Sequence, residues 1–148
     1  AARQTSEKYG VSDKIELVKG DSEQLQFADN HFDAITVGFG VRNFQSLEKG
    51  LSELSRVLKI GGRIAILEPS FPTNPLMKFI FTIHFKYITP FLGKLFSKDA
   101  SAYNYLPDSV QAFPQGNEFT SIMEKSGFIN TKSIPLTFGM CTLYLGDK

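Results

Sequence analysis

The chain has 148 residues, 42% of them hydrophobic, which suits one globular domain spanning residues 1–148 with a buried core. Sixteen basic residues face fifteen acidic ones, so the general electrostatic pull that marks nucleic-acid binding is absent. The single cysteine, Cys141, cannot close an internal disulfide, and no basic-then-apolar leader opens the chain, so a reducing, cytoplasmic setting is expected.

In chain order, residues 1–9 read as the tail of a helix that ends at Gly10, a residue suited to the left-handed cap. Ile15 to Val18 reads as a short strand, followed by Gly20-Asp21-Ser22. Phe32-Asp33 leads into Ala34-Ile35-Thr36-Val37, a compact apolar run of the kind found in buried parallel strands. It ends in Gly38-Phe39-Gly40, where the glycines are expected to allow tight turns. Leu47, Leu51, Leu54 and Leu58 recur at the spacing of one helix face, with Ser46 as N-cap and Glu48 at the positive helix end. Gly61-Gly62 is expected to stop that helix, and Arg63 to Leu67 forms a strand ending at Glu68.

Pro69, Pro72 and Pro75 then break the pattern, and residues 71–115 read as an aromatic insert. The chain holds fourteen Phe and five Tyr but no Trp, and much of that content lies here. The most apolar window, Leu76 to Phe96, is interrupted by Lys78, His84, Lys86, Pro90 and Lys94. A membrane-spanning helix needs roughly 20 mostly apolar residues, so this window reads instead as an amphipathic cover or membrane-surface element. Asn117 is expected to cap a short helix closed by Gly127. Phe128 to Ile134 and Phe138 to Leu145 read as two final strands joined through Pro135-Leu136-Thr137. The order implies an α/β sheet with an antiparallel element at its end.

Several segments together carry a family resemblance. The run Arg56-Val-Leu-Lys-Ile-Gly-Gly-Arg-Ile-Ala-Ile-Leu-Glu-Pro-Ser70 resembles a signature of the ubiquinone/menaquinone biosynthesis C-methyltransferases. Asp21-Ser22-Glu23-Gln24-Leu25-Gln26-Phe27, Phe32-Asp33 and Phe39-Gly40-Val41-Arg42-Asn43 are similar to further elements of that family, in the right order. So are Ser101-Ala-Tyr-Asn-Tyr-Leu-Pro-Asp-Ser109, Phe113-Pro114 and Ser126-Gly127-Phe128. Ile60 replaces the family's usual proline, which leaves the turn to Gly61 and Gly62, and Gln26 stands where proline is preferred. The larger departure is that no acidic-x-Gly-x-Gly-x-Gly run is present. In the family that loop holds the methionine part of the cofactor by close backbone approach.

The resemblance implies a class I S-adenosylmethionine-dependent methyltransferase sheet, Rossmann-like, with strand order 3-2-1-4-5-7-6. By register the chain would begin inside the helix after the second strand, so the first strands are expected to be missing. S-adenosylmethionine is the implied methyl donor, and a prenylated quinol, demethylmenaquinol or a related benzoquinol, the implied acceptor. Asp21 and Ser22 would meet the adenine end of the donor, and Gly38 would lie beside it. Arg42 and Asn43 would carry catalysis, Arg42 steadying a developing phenolate and Asn43 orienting the hydroxyl or a water that takes the proton. Tyr103 and Tyr105 would form a greasy lid over ring and tail.

Each role has a plainer counterpart. Asp21-Ser22 is a good turn pair, Gly38 suits a turn without any ligand, and Arg42 suits capping of backbone carbonyls. His84 fits packing or the surface better than a general base, and His31 fits a turn. No His, Cys and Asp set has metal-ligand spacing, so no metal is expected. The partners implied are the quinol, the inner face of a membrane and a second copy of the chain. The contrasting expectation is a non-catalytic piece whose strand Ala34 to Val37 has an unpaired edge, which self-associates and binds the donor poorly.

Overall fold

A computed structural model describes residues 2–72, 74–83 and 109–148. The expected positions Tyr103, Tyr105 and His84, and most of the insert, lie outside the described residues. The elements used below are α1 (Ala2–Lys8), β1 (Phe32–Gly38), α2 (Leu47–Val57), β2 (Leu58–Pro69), α3 (Pro75–Ile83), α4 (Asn117–Lys125), β3 (Ile129–Leu136) and β4 (Cys141–Asp147).

Helix α1 gives way at Gly10, whose φ of 65° is the expected left-handed cap. The expected strand Ile15 to Val18 does not form: no ladder includes it, and Ile15, Leu17 and Val18 are exposed. A strand is a property of a pair, and among the described residues no neighbour supplies the hydrogen bonds.

Helix α2 forms as the leucine spacing predicts. The Ser46 hydroxyl accepts from the Lys49 N–H, and Leu51, Leu54 and Leu58 are buried with Leu47 packed at their margin. The helix stops at Val57, earlier than expected, because Leu58 is already extended and pairs with Phe32. Gly61-Gly62 therefore does not end a helix. It forms a bulge at the start of β2, between the Phe32–Leu58 and Ala34–Arg63 pairings. Gly61 has φ 79°, and a side chain at Gly62 would strike the carbonyls of Asp33 and Lys59 at 2.9 Å each. Ile60, in the family's proline position, is 84% exposed, so the two glycines make the turn between them.

The sheet order is β1-β2-β4-β3, with β1 and β2 parallel and the other pairs antiparallel. That is the order of the last four strands in the arrangement implied above, antiparallel end included. β1 lies at the sheet edge, as expected. Pro135 falls within β3, the opposite edge strand, where a missing N–H is tolerated. The expected strand beginning at Phe138 starts instead at Cys141. Thr137, Phe138 and Gly139 all have positive φ and make the turn, leaving Phe138 79% exposed.

Alternation along the strands divides the sheet into two faces. Ile64, Ile66 and Glu68 of β2 and Thr142, Tyr144 and Gly146 of β4 point inward and are buried. They share a core with Leu51, Leu54, Phe113, Phe119, Met123 and Phe128. Phe119 meets Tyr144 edge-on at 4.6 Å, a contact worth ~0.5–1.5 kcal/mol beyond its burial. Gly116, not Asn117, is the cap of α4, and its N–H donates to the Tyr144 hydroxyl at 3.0 Å. Helix α3 starts at a proline, with the Asn74 side chain accepting from the N–H groups of Leu76 and Met77. Among the described residues, no helix is long and apolar enough to cross a membrane.

Candidate functional site

Because β1 and β2 run parallel, both end at one edge of the sheet, the edge where open α/β sheets place ligands. After Gly38 the chain turns at Phe39, whose φ is 55°; neither flanking glycine adopts that conformation. The expected glycine turn is thus carried by Phe39, whose N–H is tied to the Leu67 carbonyl at 2.8 Å. A side chain on Gly38 would meet nothing within 4 Å, so the protein itself leaves open space there. A single 3-10 turn, Val41 to Asn43, follows.

This turn is held by Glu68, at the end of β2. The Glu68 carboxylate is fully buried; Oε1 accepts from the Val41 N–H at 2.7 Å and Oε2 from Arg42 Nη1 at 2.9 Å. The same Nη1 donates to the Phe39 carbonyl at 2.6 Å. Arg42 Nε is buried and has no hydrogen-bond partner among the described residues. Asn43 reaches the Phe39 carbonyl through Nδ2 at 3.5 Å. Nearby, burial and then the Glu68 carboxylate push the Cys141 thiol above its ordinary pKa. Removing one member of a buried pair leaves an uncompensated charge, at a cost of ~3–5 kcal/mol.

The loop carrying Asp21 lies across from this turn. Asp21 Oδ1 accepts from the Glu23 N–H at 2.9 Å, the local turn geometry of an aspartate. Glu23 then accepts from the N–H groups of Gln45 and Ser46, at 2.5 and 3.1 Å, which satisfies the entrance to α2. Glu53 accepts from the Leu25 N–H at 2.9 Å. Arg56 donates to the carbonyls of Phe27 and Leu25 at 2.8 and 3.0 Å and to Asp29 at 2.7 Å. The Arg56 guanidinium holds the Glu53 carboxyl below its usual range, while Glu53 and then Asp29 raise the pKa of Arg56. Helix α2 therefore staples the loop from Glu23 to Asp29 with charged side chains.

Two clefts result. One, of 700 Å³, brings Asp21 and Ser22 together with Gly40, Asn43 and Phe44. The other, of 430 Å³ and mostly apolar, sets Arg42 beside Val41, Phe44, Leu47 and Phe113. The Phe44 ring is a shared wall. The first cleft offers an exposed carboxylate and suits a polar ligand with an amine. The second offers a guanidinium at an apolar wall and suits a flat ring with an oxygen.

Of the expected site residues, Asp21, Ser22 and Asn43 converge on one cleft, and Arg42 lines its neighbour. His31, expected in a turn, instead follows the Asp29-Asn30 turn, its N–H donating to the Val57 carbonyl at 2.8 Å and its ring stacked 5.5 Å from that of Phe27. Among the described residues, no group of three His, Cys, Asp or Glu side chains is placed to hold a metal. Glu23, Glu53, Arg56 and Glu68 were not singled out in the sequence as site residues. For Glu68 a signal existed: Ile64, Ile66 and Glu68 alternate, so the carboxylate falls on the inward face.

A sequence model described as the ubiE/COQ5 methyltransferase family matches residues 1–148. Among curated relatives, the demethylmenaquinone methyltransferase of Bacteroides fragilis is 51% identical over 146 residues, covering 99% of this chain and 60% of the relative. That of Chlorobaculum parvum is 45% identical, covering 90% and 56%, and that of Staphylococcus aureus 40% identical, covering 96% and 59%. The chain thus spans about 60% of the length of the curated relatives it matches. Among solved structures, an S-adenosylmethionine-dependent methyltransferase from Thermotoga maritima, titled a possible histamine N-methyltransferase, superposes with TM-score 0.62 at 19% identity, covering 99% of this chain and 70% of that one. Another S-adenosylmethionine-dependent methyltransferase, from Aquifex aeolicus, gives 0.64 at 17%, covering 98% and 60%. These two likenesses show the fold: a part of the Rossmann-like methyltransferase sheet.

Proposed function

The chain belongs to the ubiE/COQ5 methyltransferase family, and from that premise we propose that it serves methyl transfer from S-adenosylmethionine to a ring carbon of a prenylated quinol, demethylmenaquinol first, in menaquinone biosynthesis. The relatives' names favour the naphthoquinol over a benzoquinol of ubiquinone biosynthesis. The observation that carries the reading is the turn from Phe39 to Phe44, which separates a polar cleft beside Asp21 from an apolar cleft beside Arg42.

S-adenosylmethionine, when bound, supplies an electrophilic methyl group. Asp21 and Ser22 fit its adenine end, since the carboxylate is exposed on the cleft and accepts from an exocyclic amine; Gly38, with open space above it, fits beside the donor. Arg42 steadies negative charge on a quinol oxygen as its proton leaves. The Arg42 guanidinium is already protonated and has no site to accept that proton, so a water held with Asn43 takes it. Tyr103 and Tyr105 are proposed to cover the ring and tail. Leu76, Phe79 and Ile83 are exposed at helical spacing on α3, which supports delivery of a lipid-tailed substrate at the inner membrane surface from a cytoplasmic protein.

Calorimetry and turnover on the protein as its gene encodes it test this reading. Asp21→Ala should weaken S-adenosylmethionine about tenfold or more, the worth of one hydrogen bond to a charged group. Arg42→Ala should slow turnover roughly 100-fold while sparing that affinity. Normal turnover removes Arg42 from the mechanism.

A second reading concerns the 148 residues taken alone, and the open edge of β1 favours it. No strand among the described residues pairs with the outer side of β1. Such a chain self-associates and holds S-adenosylmethionine poorly, lacking the glycine-rich run. Tight binding of S-adenosylmethionine by these 148 residues would exclude it.

A further inference from the structure

The Glu68 carboxylate is fully buried, and both of its oxygens are committed to the turn from Val41 to Asn43. One takes a backbone N–H and the other a guanidinium, so a single side chain from β2 fixes the path of the chain leaving β1 and the direction of Arg42. A buried ion pair of this kind is a poor source of stability, because desolvation offsets the attraction and an apolar pair of equal volume often does as well. What it supplies is geometry. Arginine is a long side chain with many rotamers, and Glu68 and the Phe39 carbonyl remove that freedom in the free protein by gripping Nη1. Arg42 is thereby held as a wall of the apolar cleft beside Phe44, Leu47 and Phe113.

From this geometry we infer that Glu68 is a positioning residue for methyl transfer, one that locks the Val41–Asn43 turn and acts on the reaction through Arg42 without touching donor or quinol. The inference rests on the reading of Arg42 given above. A group held for charge stabilisation is effective only when preorganised, and a displacement of about 1 Å costs ~100-fold in rate.

The test is a double-mutant cycle in the protein as its gene encodes it: wild type, Glu68→Gln, Arg42→Ala and the double variant. Each is assayed for turnover with S-adenosylmethionine and demethylmenaquinol, for S-adenosylmethionine affinity and for thermal unfolding. Glu68→Gln should lower kcat ~10- to 100-fold while leaving KM for S-adenosylmethionine within about twofold, as expected when only a transition-state interaction is lost. In the Arg42→Ala background the same change should cost nothing further. Glu68→Asp, which keeps the charge on a shorter arm, should recover part of the loss, and it carries the same cycle if the glutamine variant does not fold. A loss that multiplies in the double variant overturns the inference, as does wild-type kcat in Glu68→Gln where Arg42→Ala is slow. Normal kcat in Arg42→Ala is a separate failure: it overturns the reading of Arg42, and this inference falls with it.

Discussion

A methyl group added at Gly50 would run into the ring of Phe44, the wall shared by the two clefts. Alanine is favoured over glycine inside a helix by ~1 kcal/mol, but overpacking of this kind costs ~1–3 kcal/mol. Gly50→Ala should therefore lower stability in urea by about 1 kcal/mol, and a stabilised variant would show that Phe44 moves freely. Cys141 offers a second probe at this scale, because burial and the Glu68 carboxylate raise its pKa and so deplete the thiolate. Alkylation at neutral pH should be slow and should speed up in Glu68→Gln; an unchanged rate would mean that the carboxylate is not felt there. Asp21, Ser22, Arg42 and Asn43 stand out in the sequence as candidates because they lie in motifs. The grip of Glu68 on Arg42 was not legible there, since it joins residues 26 apart, and no local pattern reports such a pairing.

Among the elements, the loop from Glu23 to Asp29 has almost no regular structure and owes its course to α2. Arg56→Ala would leave the carbonyls of Leu25 and Phe27 and the carboxylates of Glu53 and Asp29 without their shared partner. It should loosen the loop and weaken S-adenosylmethionine with no contact to the ligand. Acid should do the same more gently. The folded pKa of Glu53 lies below its ordinary 4.5, so its contribution is present above that value and fades as pH falls through the depressed one. The melting temperature should thus be flat near neutrality and decline below about pH 5, less steeply in Arg56→Ala; equal slopes would contradict the staple. Helix α2 and the β1-to-β2 crossover were readable from leucine spacing and apolar runs. Ile15 to Val18 misled because pairing, and not composition, makes a strand. Leu58 misled because the same leucine that completes the helical stripe is taken by the sheet.

For the molecule as a whole, among the described residues one sheet face is packed more fully than the other. Ala65, Leu67, Leu143 and Leu145 are half-buried on the far face, with Ile134 and Leu136 exposed beside them. With the edge of β1 also open, the 148 residues alone should associate with rising concentration in sedimentation, and Thr36→Lys on β1 should reduce the effect. A monomer at every concentration would count against it. The proposed methyl transfer, however, belongs to the carboxyl edge of the sheet, where Asp21 and Arg42 flank Phe44. Its most direct measurement supplies methyl-labelled S-adenosylmethionine and demethylmenaquinol to the protein as its gene encodes it and locates the label. Label on a ring carbon, largely lost in Arg42→Ala, is the predicted result; label on oxygen, or none at all, would contradict it.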